Sequence, residues 1–130
     1  MNVIKPALIC FRNKKLLMAR NCNVDVFYHP GGKRKPGETD IQALIREAKA
    51  ELKVDIIPES IKLYGIFIAQ PWERMPHVLE MRCYYADFIG EPVAGKEIEE
   101  VAYLGMSDLD KLSPIGLQIF ADAHEKGLLD

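Results

Sequence analysis

Glu47 and Glu51 stand one helical turn apart, just after a loop rich in glycine, proline and lysine. The whole segment, Gly31 to Val54, reads GGKRKPGETDIQALIREAKAELKV. Like charges at i and i+4 cost an isolated helix roughly 0.2–0.5 kcal/mol, and a cation between them turns that repulsion into attraction. Mg²⁺ takes carboxylate and carbonyl oxygens together with waters and substrate phosphates. The backbone of Gly31-Gly32 can supply such a carbonyl. Gly32, Glu47 and Glu51 are therefore the candidate ligands for Mg²⁺. Lys33, Arg34 and Lys35 are candidates for neutralising phosphate charge on a substrate, although basic loops are usually only solvated. A solvated face also explains most glutamate pairs on surface helices. Here Lys49 and Lys53 point to another side, so the like charges are not balanced locally.

The elements that must position these groups can be read from periodicity. Thr39 can cap a helix over Thr39 to Lys53, with Gln42 completing a capping box. Ile41, Leu44, Ile45, Ala48 and Leu52 recur at helical spacing, and Glu47 and Glu51 fall at the border of that apolar stripe. Upstream, Val3 to Cys10 and Lys15 to Arg20 are apolar runs joined by Phe11-Arg12-Asn13-Lys14, which predicts a β-hairpin. A brief strand at Val26-Phe27-Tyr28 leads into Pro30-Gly31-Gly32. Downstream, Ile61 to Ala69, Val78 to Ile89 and Val101 to Leu104 read as strands. Ser113-Pro114 opens a last helix in the favoured cap-then-proline order, and Gly127 ends it. The order β-β-β-α-β-β-β-α alternates too little for a doubly wound parallel sheet. An α/β chain of the α+β kind, with a mixed sheet packed between helices, fits better.

Composition narrows the partners. The chain has 130 residues, 48% hydrophobic and 28% charged, which suits one globular domain over 1–130. A net charge of −2 argues against an extended nucleic-acid surface, while a small phosphorylated ligand needs only a local basic loop. No run approaches the roughly 20 apolar residues of a membrane span. The first residues, MNVIKPALICFRNKK, lack the apolar core of a secretory signal, so the expected location is cytoplasmic. Cys10, Cys22 and Cys83 show no CxxC spacing and read as reduced thiols. His29, His77 and His124 lack metal-ligand spacing.

The central segment closely resembles the Nudix box. Gly32, Glu38, Arg46, Glu47, Glu51 and Val54 all fall at the spacing of that motif, and Pro30-Gly31 and Pro36-Gly37 also look like the family. Two positions depart: Ala50 replaces the first of two adjacent glutamates, and Lys53 replaces the glycine that ends the helix. The resemblance implies a Nudix fold, and hydrolysis of a nucleoside diphosphate linked to another moiety, possible substrates including a nucleoside triphosphate. It implies that Glu47 and Glu51 carry Mg²⁺ or Mn²⁺ and that Glu38 and Arg46 form a bracing ion pair. It also implies a general base from a later loop. Glu97 is the first choice and Glu100 the second, in the run Lys96-Glu97-Ile98-Glu99-Glu100. Ala50 removes one potential ligand, which leaves open a degenerate domain that binds a nucleotide or protein partner without hydrolysing it.

Aromatic residues supply candidate base contacts. Trp72, in a proline-bracketed loop, can stack on a nucleobase, or else anchor the loop or a homodimer contact. Phe27 and Tyr28 precede the glycine loop and can line a base pocket, although a strand core explains Phe27 as well.

Overall fold

The computed structural model describes residues 2–71 and 76–130. Its strands are β1 (Asn2–Ile9), β2 (Phe11–Arg12), β3 (Lys15–Asn21), β4 (Phe27–Tyr28), β5 (Asp55–Ile56), β6 (Lys62–Ala69), β7 (Val78–Tyr85), β8 (Phe88–Ile89) and β9 (Ile98–Leu104). Helix α1 spans Asp40–Leu52 and α2 spans Pro114–Glu125. One sheet has the order β1-β7-β6, with β1 parallel and β6 antiparallel to β7. In a second, β3 pairs antiparallel with β2, β4 and β9, and β5 pairs with β8. Strands of both main sheets are covered on two faces, which makes this the expected mixed α+β architecture between helices. Ala7, Ile9, Leu16 and Met18 join Ile119 and Phe120 of α2 in one core cluster. Leu8 and Leu17 turn the other way and pack with Leu44, Ala48 and Leu52 of α1. Burial on both faces is why these strands read as unbroken apolar runs.

The expected hairpin is corrected in its first strand. Only Phe11–Arg12 pairs with the start of β3, across Asn13 and Lys14, which both take the positive φ that a tight hairpin turn requires. β1 instead lies along β7 from Asn2↔Val78 to Ile9↔Tyr85. A strand buried on both faces needs neighbours that sequence adjacency does not supply. The long strand expected over Val78 to Ile89 is also divided, since Phe88–Ile89 leaves to pair with β5.

Helix α1 has the expected capping box: the Thr39 side chain accepts from the Gln42 N–H, and the Gln42 side chain accepts from the Thr39 N–H. Its apolar stripe is rotated relative to expectation. Ala43 is buried and Ile41 is 44% exposed, because Asp40 is drawn to the sheet by the Tyr84 hydroxyl at 2.6 Å and by Arg82 at 3.3 Å. The helix closes on Lys53 at φ 57°, the left-handed region where a side chain is strained. Among the described residues, no helix is long and apolar enough to cross a membrane. Replacing Lys53 by glycine should raise stability by about 0.5–1 kcal/mol, read as a higher urea midpoint at unchanged slope.

Candidate functional site

Backbone hydrogen bonds hold the glycine loop beside β1. Leu8 donates to the Pro30 carbonyl at 2.7 Å and Gly32 donates to the Pro6 carbonyl at 3.2 Å. Helix α1 crosses the same place. The Gly31 N–H donates to Glu51 at 2.9 Å, fixing one carboxylate oxygen against the loop. Glu47 approaches Gly32 so closely that any Cβ at residue 32 would collide with its carboxylate. A side chain at residue 32 would push the Glu47 carboxylate out of its position beside the loop.

Arg46 ties the outer part of the loop to the helix. Its guanidinium donates to both oxygens of Glu38, at 2.7 and 2.9 Å, to the Lys33 carbonyl at 3.1 Å and to Glu47 at 2.9 Å. Glu38 also accepts from the Lys35 N–H at 2.8 Å. The Arg46 hydrogen bonds, followed by that backbone bond, hold the Glu38 carboxyl down at about 2.

A third segment is built onto the C-terminal end of α1. The last carbonyls of a helix have no partner within it. Here Lys96 donates to the Ala50 carbonyl at 2.8 Å, Gly95 to that of Glu51 at 2.8 Å and Val93 to that of Leu52 at 3.0 Å. Gly95 lies so tightly against the Ala50 carbonyl that a Cβ would not fit. This docking delivers Glu97, at φ 65°, to the same side as Glu47 and Glu51.

The three glutamates line one cavity of about 360 Å³ together with Gly31, Gly32, Lys33, Tyr28, Lys5 and His29. Burial, above all, raises the Glu51 carboxyl to about 7; the Gly31 hydrogen bond and Lys5 oppose the shift, while Glu47 and Glu97 add to it. His29 is 1% exposed, and neither ring nitrogen finds a partner. Burial and the Lys5 charge push its pKa down to about 3, so it is neutral at ordinary pH.

Other residues singled out from the sequence are placed elsewhere. Glu100 sits opposite Arg20 in the β3–β9 register and pairs with it at 3.3 Å, so it does not line the cavity. Strand geometry separates it from Glu97, which precedes β9. Arg34 turns to Asp40 at 3.4 Å, and Lys35 contributes its backbone to Glu38; neither lines the cavity. Phe27 is 5% exposed in the core, its ring beside Arg20 at 6.0 Å, and it lines a neighbouring shallow basin. Trp72 lies outside the described residues. Sequence reasoning missed Lys5 and His29. Lys5 did leave a signal, a charge inside the apolar run Val3-Ile4-Lys5-Pro6-Ala7-Leu8-Ile9.

The NUDIX domain model matches residues 4–123. The chain belongs to the Nudix hydrolase family. Over 104 residues this Nudix chain is 33% identical to an ADP-ribose pyrophosphatase of Methanocaldococcus jannaschii, an overlap of 78% of the chain and 60% of that protein. It thus spans less than two thirds of that relative's length. A MutT protein from Methanosarcina mazei Go1 superposes with a TM-score of 0.79 at 14% identity, covering 97% of this chain and 95% of that one. A Nudix hydrolase from Nitrosomonas europaea gives 0.77 at 17%, covering 97% and 90%. At these identities the two structures establish the fold.

The donor set suits a hard divalent ion. Among the described residues, no three His, Cys, Asp or Glu side chains converge into a ready metal cluster. Mg²⁺ does not need one, since it usually binds through one or two carboxylates and completes its shell with water and phosphate. Glu47 and Glu51 offer such a pair, crowded enough that burial and like charge disfavour full ionisation of Glu51.

The raised Glu51 pKa has a defined consequence for the metal-free protein. The folded state holds this proton more tightly than the unfolded chain, whose carboxyl titrates near 4.5. The stabilisation is full below that value and is lost as pH rises through about 7. In EDTA, urea unfolding should show wild type losing roughly 1–3 kcal/mol between those limits relative to Glu51→Gln. Parallel pH profiles for the two proteins would remove Glu51 as the cause.

Proposed function

We propose that this Nudix chain is a divalent-metal-dependent pyrophosphohydrolase that cleaves a nucleoside diphosphate linked to another moiety. The observation that carries this reading is the convergence of Glu47, Glu51 and Glu97, from two segments, on one cavity beside Gly32 and Lys33. Glu47 and Glu51 would hold Mg²⁺ or Mn²⁺, with the Gly32 carbonyl as a further candidate oxygen. When bound, the ion supplies positive charge that stabilises negative charge on phosphoryl oxygens.

The chain's own groups then divide the remaining work. Glu97 takes a proton from the attacking water at its carboxylate. Lys33 neutralises phosphate charge, and Tyr28 forms a wall for the substrate. The Glu38–Arg46 pair keeps the loop rigid against α1, and the Gly31 N–H fixes the orientation of Glu51. Preorganisation of this kind lets charged groups act without rearranging during the reaction.

Within this substrate class, likeness to an ADP-ribose pyrophosphatase supports ADP-ribose as the first compound to test, with nucleoside triphosphates second. Ala50 favours a second reading, a Nudix domain that binds nucleotide without turnover. A panel of ADP-ribose, nucleoside triphosphates, sugar nucleotides and dinucleoside polyphosphates, assayed with Mg²⁺ and Mn²⁺, separates the two. Metal-dependent turnover should fall about 10²-fold or more in Glu97→Gln and be abolished in Glu51→Gln. Binding without turnover across the panel would establish the second reading. Turnover indifferent to Glu51→Gln would refute the metal assignment.

A further inference from the structure

The cavity contains a cation supplied by neither the helix nor the glycine loop. Lys5 enters from the middle of β1, between strand neighbours that build the core. Its ammonium lies 5.7 Å from the centroid of the Tyr28 ring. Among the described residues, no carboxylate reaches ion-pair distance of it, and no group accepts a hydrogen bond from it. Burial lowers its pKa from the ordinary lysine value, while the more distant charges of Glu51 and Glu47 oppose that shift. Lys5 is half-buried, and an anion entering the cavity would give its ammonium the close charged acceptor that the protein does not supply.

Position adds chemical meaning. Lys5 and Tyr28 border both the main cavity and a narrow slot of about 20 Å³, whose other walls include Ala69, Leu79, Met81 and Ile115. The slot, which Gln70 and Ser113 also line, has room for a water but not for a phosphate, so a phosphate at Lys5 must lie on the cavity side, with Glu47 and Glu51. Lys33 is exposed on its loop, whereas Lys5 is carried by a strand hydrogen-bonded along its length to β7. A fixed cation aims a phosphate; a solvated one only attracts it.

We propose that Lys5 is a substrate-positioning residue whose ammonium binds the phosphate group taken up beside Glu47 and Glu51, an inference that rests on the pyrophosphohydrolase reading above. The assignment has a two-signed consequence. Lys5 repels the divalent ion that the glutamates attract, and it attracts the phosphate that follows.

Lys5→Met and Lys5→Arg test this, with Mn²⁺ alone titrated by electron paramagnetic resonance and imidodiphosphate, a non-hydrolysable diphosphate, titrated calorimetrically at saturating Mn²⁺. Lys5→Met should bind Mn²⁺ about threefold more tightly and imidodiphosphate roughly 10- to 100-fold more weakly. Lys5→Arg should recover part of the diphosphate affinity. On an active substrate, KM should rise more than kcat falls. Loss of both affinities together would indicate a structural lysine and overturn the proposal, as would unchanged diphosphate binding. Wild type that binds neither probe would overturn the pyrophosphohydrolase reading itself, whereas wild type that binds both while Lys5→Met behaves identically would overturn only the role of Lys5.

Discussion

The docking of one helix against three irregular segments governs this molecule. Helix α1 holds the glycine loop through Glu51 and Gly31, the outer loop through Arg46 and Glu38, and the 93–96 segment through its own terminal carbonyls. None of those segments has regular structure to fix its shape. The outer loop and the 93–96 segment take their positions from hydrogen bonds to this helix, whose far face is sealed into the core by Leu44, Ala48 and Leu52, while the glycine loop is held by β1 as well. The candidate site is thus a set of loops referenced to one helix. A shift of that helix would displace every acidic group together.

Close approach sets the tolerances. At residue 32 the loop must pass under the Glu47 carboxylate, and at residue 95 the incoming segment must rest on the Ala50 carbonyl. A side chain at residue 95 would meet fixed backbone, whereas one at residue 32 would displace the Glu47 carboxylate. Glu97, by contrast, keeps a side chain in the left-handed region at a cost of about 1–2 kcal/mol. Strain accepted at a charged residue facing a cavity, where glycine would be easier, is of the sort found at functional positions.

Electrostatics in the cavity oppose one another at short range. Burial raises Glu51 and lowers Lys5, each shift driven first by desolvation and tempered by the other's charge. His29 avoids the conflict by remaining neutral. Across the helix, Asp40 gathers Arg34, Arg82 and Tyr84 into a separate network that braces the first turn against the sheet. Charge that looks continuous along the loop in sequence is thereby divided between two faces.

The local sequence was sufficient for the capped helix, the Ser113-Pro114 start of α2, the mixed α+β class and family membership through the box spacing. These depend on contacts within a few residues, where periodicity and capping chemistry act directly. It ranked Glu97 before Glu100 but could not place either, because two residues three apart at the start of a strand differ by which one lies on the turn and which on the ladder. Nor could it separate Lys33 from Arg34, whose partner Asp40 is fixed by contacts with β7. Lys5 became part of the cavity only when β1 left its expected hairpin to lie along β7 and brought the glycine loop to its other edge. Sequence alone therefore determined which segment carries the acidic chemistry. Tertiary structure decided which charges share the cavity, since strand partners far apart in the chain set the direction of every side chain around it.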